Sequence, residues 1–193
     1  MKKYLIIIGV IFFSIQVYSQ KKYFPYRVTL QDTTFNNISS LVINNNGKPI
    51  IIDFWASTCK PCIDLLDSYE QVYKEWHEKY GVKIYVISVD KGFRRKKALE
   101  LIREHQWSFE FYFDKNNNLF NEISSKNAVP QTFIYDGHFN LLGKQTGVKP
   151  NFGYRIINGK ISDEKVQINP KGKYSHLACD LTQYEEILEF ILD

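Results

Sequence analysis

Two patterns of apolar residues meet at one point of this 193-residue chain. Ile50–Phe54 is an almost continuous apolar run, which is typical of a strand covered on both faces. Over Ile63–Tyr80 the apolar residues recur at helical spacing, which predicts an amphipathic helix that Gly81 ends in a left-handed conformation. Two cysteines, Cys59 and Cys62, lie between the strand and the helix.

The pattern continues as an alternation of short strands and helices. We predict strands at 82–89, 109–113, 131–135 and 141–145, and helices at 94–105, 119–123 and 182–192. Thr182 and Glu185 have the spacing of a capping box at the start of the last helix. The order of elements predicts an α/β fold, with a mixed central sheet and flanking helices.

Two segments do not fit a minimal α/β domain. An N-terminal extension over 24–47 is predicted to form a short hairpin around Gln31–Thr33 and a helical turn near Ser39–Val42. An insertion over about 148–180 separates the last strand from the last helix, and it is far longer than an ordinary connection of about 4–6 residues. Its Asn158-Gly159 pair predicts a hairpin turn.

The first residues have the character of a secretory signal peptide. A basic start, Met1–Lys3, precedes the apolar run Tyr4–Phe13 and the compact residues Val17–Ser19. We therefore predict a signal peptide at 1–19, one domain at 20–193, and a periplasmic or secreted mature protein. The alternative is an uncleaved anchor, although the apolar run is shorter than the roughly 18 residues of a membrane-spanning helix.

Composition and charge exclude some functions. Hydrophobic residues make up 44% of the chain, which is enough for a packed core. The formal net charge is +4, and removal of Lys2 and Lys3 with the signal peptide lowers it to +2. Such a balanced chain is not expected to bind nucleic acid.

The Cys59-Lys60-Pro61-Cys62 segment indicates thiol–disulfide chemistry. Cys59 is predicted at the helix N-terminus, where free backbone N–H groups and the helix dipole favour a thiolate. Cys62 would lie one turn further on, and Pro61 fits the first turn because its missing N–H costs nothing there. A zinc site would need two further ligands, and the four histidines of the chain are scattered, so we predict no metal.

The third cysteine, Cys179, is left without a partner. Its neighbours Leu177, Ala178 and Leu181 are apolar, and a free cysteine commonly behaves as a small buried hydrophobe. We predict that Cys179 is buried, distant from Cys59 and dispensable. The alternative is a third redox thiol that resolves or dimerises the protein.

Two motifs together resemble the thioredoxin-like superfamily. The segment Ile51–Cys62 is similar to its active-site strand and helix start, and Ala128–Phe133 is similar to the cis-proline segment that faces the disulfide. The N-terminal extension makes the chain most similar to the secreted TlpA/ResA-like branch. The resemblance implies a thioredoxin fold and a thiol–disulfide oxidoreductase of the bacterial cell envelope, with no cofactor other than the Cys59–Cys62 disulfide.

The resemblance also implies how the pair acts. Cys59 would attack a substrate disulfide and form a mixed disulfide, which Cys62 would then resolve. Asp53 corresponds to the buried acid behind the disulfide. Its desolvated carboxylate would have a raised pKa and would accept the proton of Cys62.

Other residues would contact the substrate. Pro130 is implied to follow a cis peptide bond and to expose the backbone of Val129 for pairing with a substrate peptide. Pro61 would lie beside the same surface. Lys60 is either a cation that stabilises the Cys59 thiolate or a solvated lysine. Trp55 would be an aromatic platform beside the disulfide, a core residue, or both.

The expected substrates are protein thiols and disulfides, with reduction as the direction that the resemblance implies. An envelope or membrane electron donor and a monomeric state are the other expectations. Two other functions stay open: a thiol peroxidase, and a non-enzymatic module that binds peptides or copper. Against these, Ala56 stands where superfamily peroxidases carry a threonine, and related copper chaperones space their cysteines by three residues rather than two.

Overall fold

The structure is a computed structural model that describes residues 28–38, 45–124, 126–148, 152–157, 160–167 and 177–192. The predicted signal peptide, the predicted helical turn near 39–42 and the Asn158-Gly159 turn lie outside these residues. The rest of the predicted alternation of strands and helices falls within them.

The described residues form nine strands and four helices. The strands are β1 (Leu30–Gln31), β2 (Asn37–Ile38), β3 (Ile50–Trp55), β4 (Lys83–Ser88), β5 (Glu110–Phe113), β6 (Gln131–Tyr135), β7 (Leu141–Thr146), β8 (Phe152–Ile157) and β9 (Lys160–Gln167). The helices are α1 (Lys60–Tyr80), α2 (Arg94–His105), α3 (Asn118–Ile123) and α4 (Thr182–Leu192).

Seven of the strands form one mixed sheet in the order β2-β1-β5-β4-β3-β6-β7. Strands β3, β4 and β5 are parallel to one another. On one side of them, β6 pairs antiparallel with β3 and β7 pairs antiparallel with β6. On the other side, β1 pairs antiparallel with β5. The mixed sheet and its helices confirm the predicted α/β thioredoxin fold. The predicted extension forms the β1–β2 hairpin, which lengthens the sheet beyond β5.

Strand β3 is the centre of the molecule, and all six of its residues are buried. Ile52 and Phe54 pack on one face of the sheet, in the cluster that includes α3. Ile51 and Trp55 pack on the opposite face, in the cluster that includes α1 and α4. Burial on both faces explains why this strand reads as a continuous apolar run.

Helix α1 begins three residues earlier than its apolar pattern predicts. The N-cap is Cys59, and Pro61 falls in the first turn, so polar and compact residues form the start of the helix. The helix ends as predicted, with Gly81 left-handed at φ 66° and its N–H bonded to the carbonyl of His77.

The predicted capping box at α4 is wrong. The hydroxyl of Thr182 donates to the carboxylate of Asp180 at 2.6 Å, and the Thr182 N–H donates to the same oxygen at 3.0 Å. A carboxylate two residues upstream is a stronger acceptor than the threonine hydroxyl, so it accepts the free N–H and the hydroxyl becomes a donor.

The predicted insertion contributes a separate two-stranded sheet, in which β8 and β9 pair antiparallel from Phe152↔Gln167 to Ile157↔Lys160. Among the residues that the structure describes, no helix is both long and apolar enough to cross a membrane.

Candidate active site

Cys59 and Cys62 form a disulfide at the start of α1. Cys59 is the N-cap residue, and its sulfur accepts a hydrogen bond from the Cys62 N–H at 3.2 Å. The two sulfurs differ in access, because Cys59 is partly exposed while Cys62 is completely buried. A substrate can therefore reach Cys59 first, and the helix N-terminus would stabilise its thiolate.

The segment opposite the disulfide has the predicted geometry. The Val129–Pro130 peptide bond is cis. The Cys59 sulfur lies 3.7 Å from the carbonyl oxygen of Val129. Since a disulfide sulfur carries no hydrogen, this distance is a contact rather than a hydrogen bond. Pro130 is buried and Val129 is half-buried, so the Val129 backbone lies next to the more accessible sulfur.

Asp53 is completely buried in β3, on the sheet face that packs against α1. Burial raises the pKa of its carboxyl to about 8, and a hydrogen bond from Thr132 acts in the opposite direction. The donated bond reaches Oδ2 at 2.6 Å. Oδ1 has no hydrogen-bond partner among the described residues. This oxygen is the one free to take up a proton.

The sequence analysis missed three hydroxyl groups beside this acid. Thr132 lies directly opposite Asp53 in the β3–β6 pairing. Its Oγ1 lies 3.3 Å from the hydroxyl of Tyr69 on α1 and 3.4 Å from that of Tyr184 on α4. The position of Thr132 near the site could have been predicted from the sequence, since it follows Pro130 by two residues on a predicted strand. The two tyrosines carried only a helical apolar pattern.

Lys60 is exposed at the mouth of the site and forms an ion pair with Asp64, one turn along α1. Hydrogen bonding to Asp64 raises the pKa of Lys60, so the amine stays charged. The carboxylate offsets the field of that charge at Cys59, which weakens the first of the two roles considered from sequence, stabilisation of the Cys59 thiolate. Pro61 is exposed beside it.

Trp55 is completely buried, and its ring packs edge-on against Trp107 and Phe111. Of the two interpretations made from sequence, the structure shows core packing. A contact between this side chain and a substrate would require the surface above it to open.

Cys179 is buried, as predicted. Its backbone N–H donates to the hydroxyl of Ser68 on α1 at 3.0 Å, and burial raises the pKa of its thiol to about 11. Lys60 and Asp64 are within electrostatic reach of the thiol, so Cys179 is less remote from the redox end of α1 than we predicted.

The loop before the disulfide is held by a buried carboxylate that sequence analysis also missed. Asp90, just after β4, accepts the backbone N–H of Ser57 at 2.7 Å and the hydroxyl of Ser88 at 3.0 Å. These bonds fix the chain two residues before Cys59. Nowhere in the described ranges do three or more potential ligands gather in a cluster able to hold a metal ion.

Comparison with known proteins gives a family. The sequence profile of the AhpC/TSA family matches residues 24–141, which is more than half of the chain. The chain belongs to the AhpC/TSA family. This assignment agrees with the thioredoxin-like resemblance drawn from the Cys59–Cys62 and Val129–Pro130 segments.

Individual relatives of this AhpC/TSA family member are thioredoxin-like. A solution structure of a thioredoxin-like protein from Porphyromonas gingivalis superimposes with a TM-score of 0.56 at 30% identity, covering 64% of this chain and 81% of that one. Thioredoxin-like protein YneN of Bacillus subtilis is 26% identical over 104 residues, which is 53% of this chain and 59% of YneN.

Thiol-disulfide oxidoreductase ResA of Oceanobacillus iheyensis is 28% identical over 88 residues, which is 46% of this chain and 44% of ResA. The chain thus spans about half the length of the curated relatives it matches. The match to ResA agrees with the resemblance to the TlpA/ResA-like branch that was drawn from the sequence.

Proposed function

We propose that this protein is a thiol–disulfide oxidoreductase that reduces disulfides of protein substrates in the cell envelope. One observation carries the proposal. An accessible Cys59 caps α1 and is bonded to a fully buried Cys62, opposite a cis Val129–Pro130 bond. This arrangement suits a pair in which one thiol meets the substrate and the other completes the exchange.

In the reaction, the reduced pair meets a substrate disulfide. The Cys59 thiolate attacks one substrate sulfur, the substrate S–S bond breaks, and the other substrate sulfur leaves as a thiolate. A mixed disulfide between Cys59 and the substrate results. The substrate backbone would lie along Val129, where an extended segment can pair with the exposed peptide groups.

The second step needs the Cys62 thiol to lose its proton in a buried place. Asp53 is the proposed acceptor, through its unpaired Oδ1. The Cys62 sulfur then attacks Cys59, the bond to the substrate breaks, and the substrate leaves with a reduced thiol. The pair ends as the disulfide seen in the structure. The two cysteine sulfurs carry the electrons, so this chemistry needs no further cofactor.

The direction and the location are parts of the proposal. Reduction is the direction that the TlpA/ResA-like resemblance implies, and the signal-peptide character of residues 1–19 supports location in the envelope. The partners would be protein disulfides and an envelope donor that reduces the pair again, and the protein would act as a monomer. N-terminal sequencing of the protein from the envelope fraction should give Gln20 as the first residue.

Insulin reduction tests the activity. Purified protein with dithiothreitol as electron donor should accelerate the precipitation of insulin chains, and Cys59→Ser should abolish the acceleration. Peroxide consumption and copper titration on the same preparation test the two alternative functions. Peroxide turnover or stoichiometric copper binding without insulin reduction would contradict the proposal.

A further inference from the structure

The Asp53 carboxylate accepts a hydrogen bond from the Thr132 hydroxyl, which in turn contacts the hydroxyls of Tyr69 and Tyr184. We call these three hydroxyl groups the hydroxyl hub. We propose that the hub holds the Asp53 carboxylate in position for proton exchange with Cys62, with Thr132 and Tyr184 as positioning residues. The inference rests on the proposed function, in which Asp53 is the acceptor of the Cys62 proton.

The first support is the strand register. Asp53 and Thr132 are direct partners in the antiparallel β3–β6 pair. Side chains of direct partners lie on the same face of a sheet, with Cβ atoms about 4.5–5.5 Å apart. The hydroxyl is therefore brought to the carboxylate by the backbone itself, and the resulting bond of 2.6 Å is short.

Counting hydrogens gives the hub a direction. The Thr132 hydroxyl has one hydrogen, and it donates that hydrogen to Oδ2 of Asp53. Its remaining contacts, with the hydroxyls of Tyr69 at 3.3 Å and Tyr184 at 3.4 Å, must then be ones in which Thr132 accepts. The hydroxyl hydrogens of Thr132 and Tyr184 thus point toward the carboxylate.

This direction has two consequences for Asp53. The donated bond favours the ionised carboxylate, which opposes the effect of burial. It also occupies Oδ2 and fixes the carboxylate plane, so Oδ1 remains the proton acceptor. In the second step the proton moves from the Cys62 sulfur to Oδ1, and the new electron pair on that sulfur forms the bond to Cys59.

The hub also joins three elements of the fold. Tyr69 belongs to α1, Thr132 to β6 and Tyr184 to α4, and the two tyrosine rings pack edge to face at 5.7 Å. Helix α4 follows the insertion. The hydroxyl of Tyr184 contacts Thr132, and Thr132 donates to Asp53, so the C-terminal helix is linked to this acid.

The titratable groups that face Asp53 are neutral near pH 7. Burial raises the pKa of Tyr69 and of Tyr184 well above the ordinary value, and raises that of the Cys179 thiol to about 11. The β4 partner of Asp53 is the apolar Val86. No charged side chain contributes to the pKa shift of Asp53, and the Thr132 hydroxyl is the polar side chain that opposes the effect of burial.

The test is a carboxyl ¹³C NMR titration of Asp53 in the disulfide form, with Asp53→Asn to identify the signal. Thr132→Val keeps the shape of the side chain and removes the hydrogen bond, and it should raise the pKa of Asp53 by about one unit. Tyr184→Phe should give a smaller upward shift because its contact is longer and indirect. Thr132→Ser keeps the hydroxyl and should restore the wild-type titration.

Tyr80→Phe is the matched control. Tyr80, the last residue of α1, is also a buried tyrosine that faces α4. Its hydroxyl donates to Glu185 and Glu189 of α4 instead of Thr132. The Asp53 titration should not move in this variant. An unchanged titration in both Thr132→Val and Tyr184→Phe, or an equal shift in Tyr80→Phe, would overturn the hub.

Turnover gives a second readout. Asp53 acts as a base when ionised, so the rate of insulin reduction rises with pH through its pKa. In Thr132→Val the rise in rate should occur at a pH about one unit higher than in the wild type. At a fixed pH below the pKa of Asp53, the variant should therefore be about tenfold slower. A shifted NMR titration with an unshifted rate profile would overturn the positioning role. Absence of insulin reduction in the wild type would instead refute the proposed function, while the NMR titration still decides the hub.

Discussion

At the scale of single residues, the chemistry depends on the unequal surroundings of two sulfurs. Cys59 is accessible and lies at the positive end of a helix, whereas Cys62 is completely buried, as is Asp53, the proposed acceptor of its proton. The first environment favours a thiolate, and the second opposes one until a base accepts the proton. The roles of nucleophile and resolving thiol follow from this difference.

The pKa of the Cys59 thiol should therefore lie below the value of about 8.5 for a free cysteine. The Lys60–Asp64 pair makes a finer test. Asp64→Asn frees the lysine charge and should lower the pKa of Cys59, whereas Lys60→Glu should raise it. Thiolate absorbance against pH in the reduced protein measures both. A Cys59 that titrates like a free thiol would remove the activation argument.

Asp53 should make the stability of the fold depend on pH. Burial raises its pKa to about 8 in the folded protein, whereas an aspartate in an unfolded chain titrates at about 3.9, so the unfolded chain releases the proton first as pH rises. The free energy of unfolding should fall between about pH 4 and pH 8. At pH 7, Asp53→Asn should raise it by about 4 kcal/mol, with little effect at pH 4. Urea unfolding at both pH values checks this, and parallel curves would contradict it.

Cys179 should be inert in the folded protein. Its thiol is buried and its raised pKa leaves almost no thiolate at neutral pH. Cys179→Ser should keep full insulin reduction and the same oligomer size. Loss of turnover with the fold intact, or loss of a disulfide-linked dimer, would bring Cys179 into the mechanism.

At the scale of elements, the sequence predicted most of the helices and strands of the core. Helices α2 and α4 and strand β6 have the predicted bounds, because their apolar stripes end at clear polar residues. Errors occurred at helix starts. Side-chain hydrogen bonds of Cys59 and Asp180 decide where α1 begins and how the start of α4 is capped, and an apolar pattern does not contain them.

The sequence does not predict a close contact between two turns of the backbone, at Gly137 and Gly47. A Cβ added at Gly137, in the β6–β7 turn, would lie 1.8 Å from the carbonyl oxygen of Gly47, in the turn before β3. Gly137→Ala should therefore lower the free energy of unfolding by about 3 kcal/mol or more. Gly92→Ala is the control, since Gly92 has a positive φ of 57° but open space around it, and should cost about 1 kcal/mol. Equal costs in urea unfolding would contradict this packing.

At the scale of the whole molecule, sequence located the site but not its surroundings. The CxxC and the Val129–Pro130 segment are local motifs, and both lie where they were predicted. The hydroxyl hub is not local, since it joins residues up to 115 positions apart, from Tyr69 to Tyr184. Only the folded arrangement of sheet and helices shows such a cluster. The extent of the domain, 20–193, remains our proposal.

The central claim is that Cys59, and not Cys62, forms the bond to a protein substrate. Cys62→Ala and Cys59→Ala forms, expressed in cells and purified without reductant, test it directly by mass spectrometry. We predict that Cys62→Ala accumulates mixed disulfides between Cys59 and envelope proteins, which dithiothreitol releases, and that Cys59→Ala accumulates none. Adducts of equal abundance on Cys62 in Cys59→Ala, or none in either variant, would contradict the account.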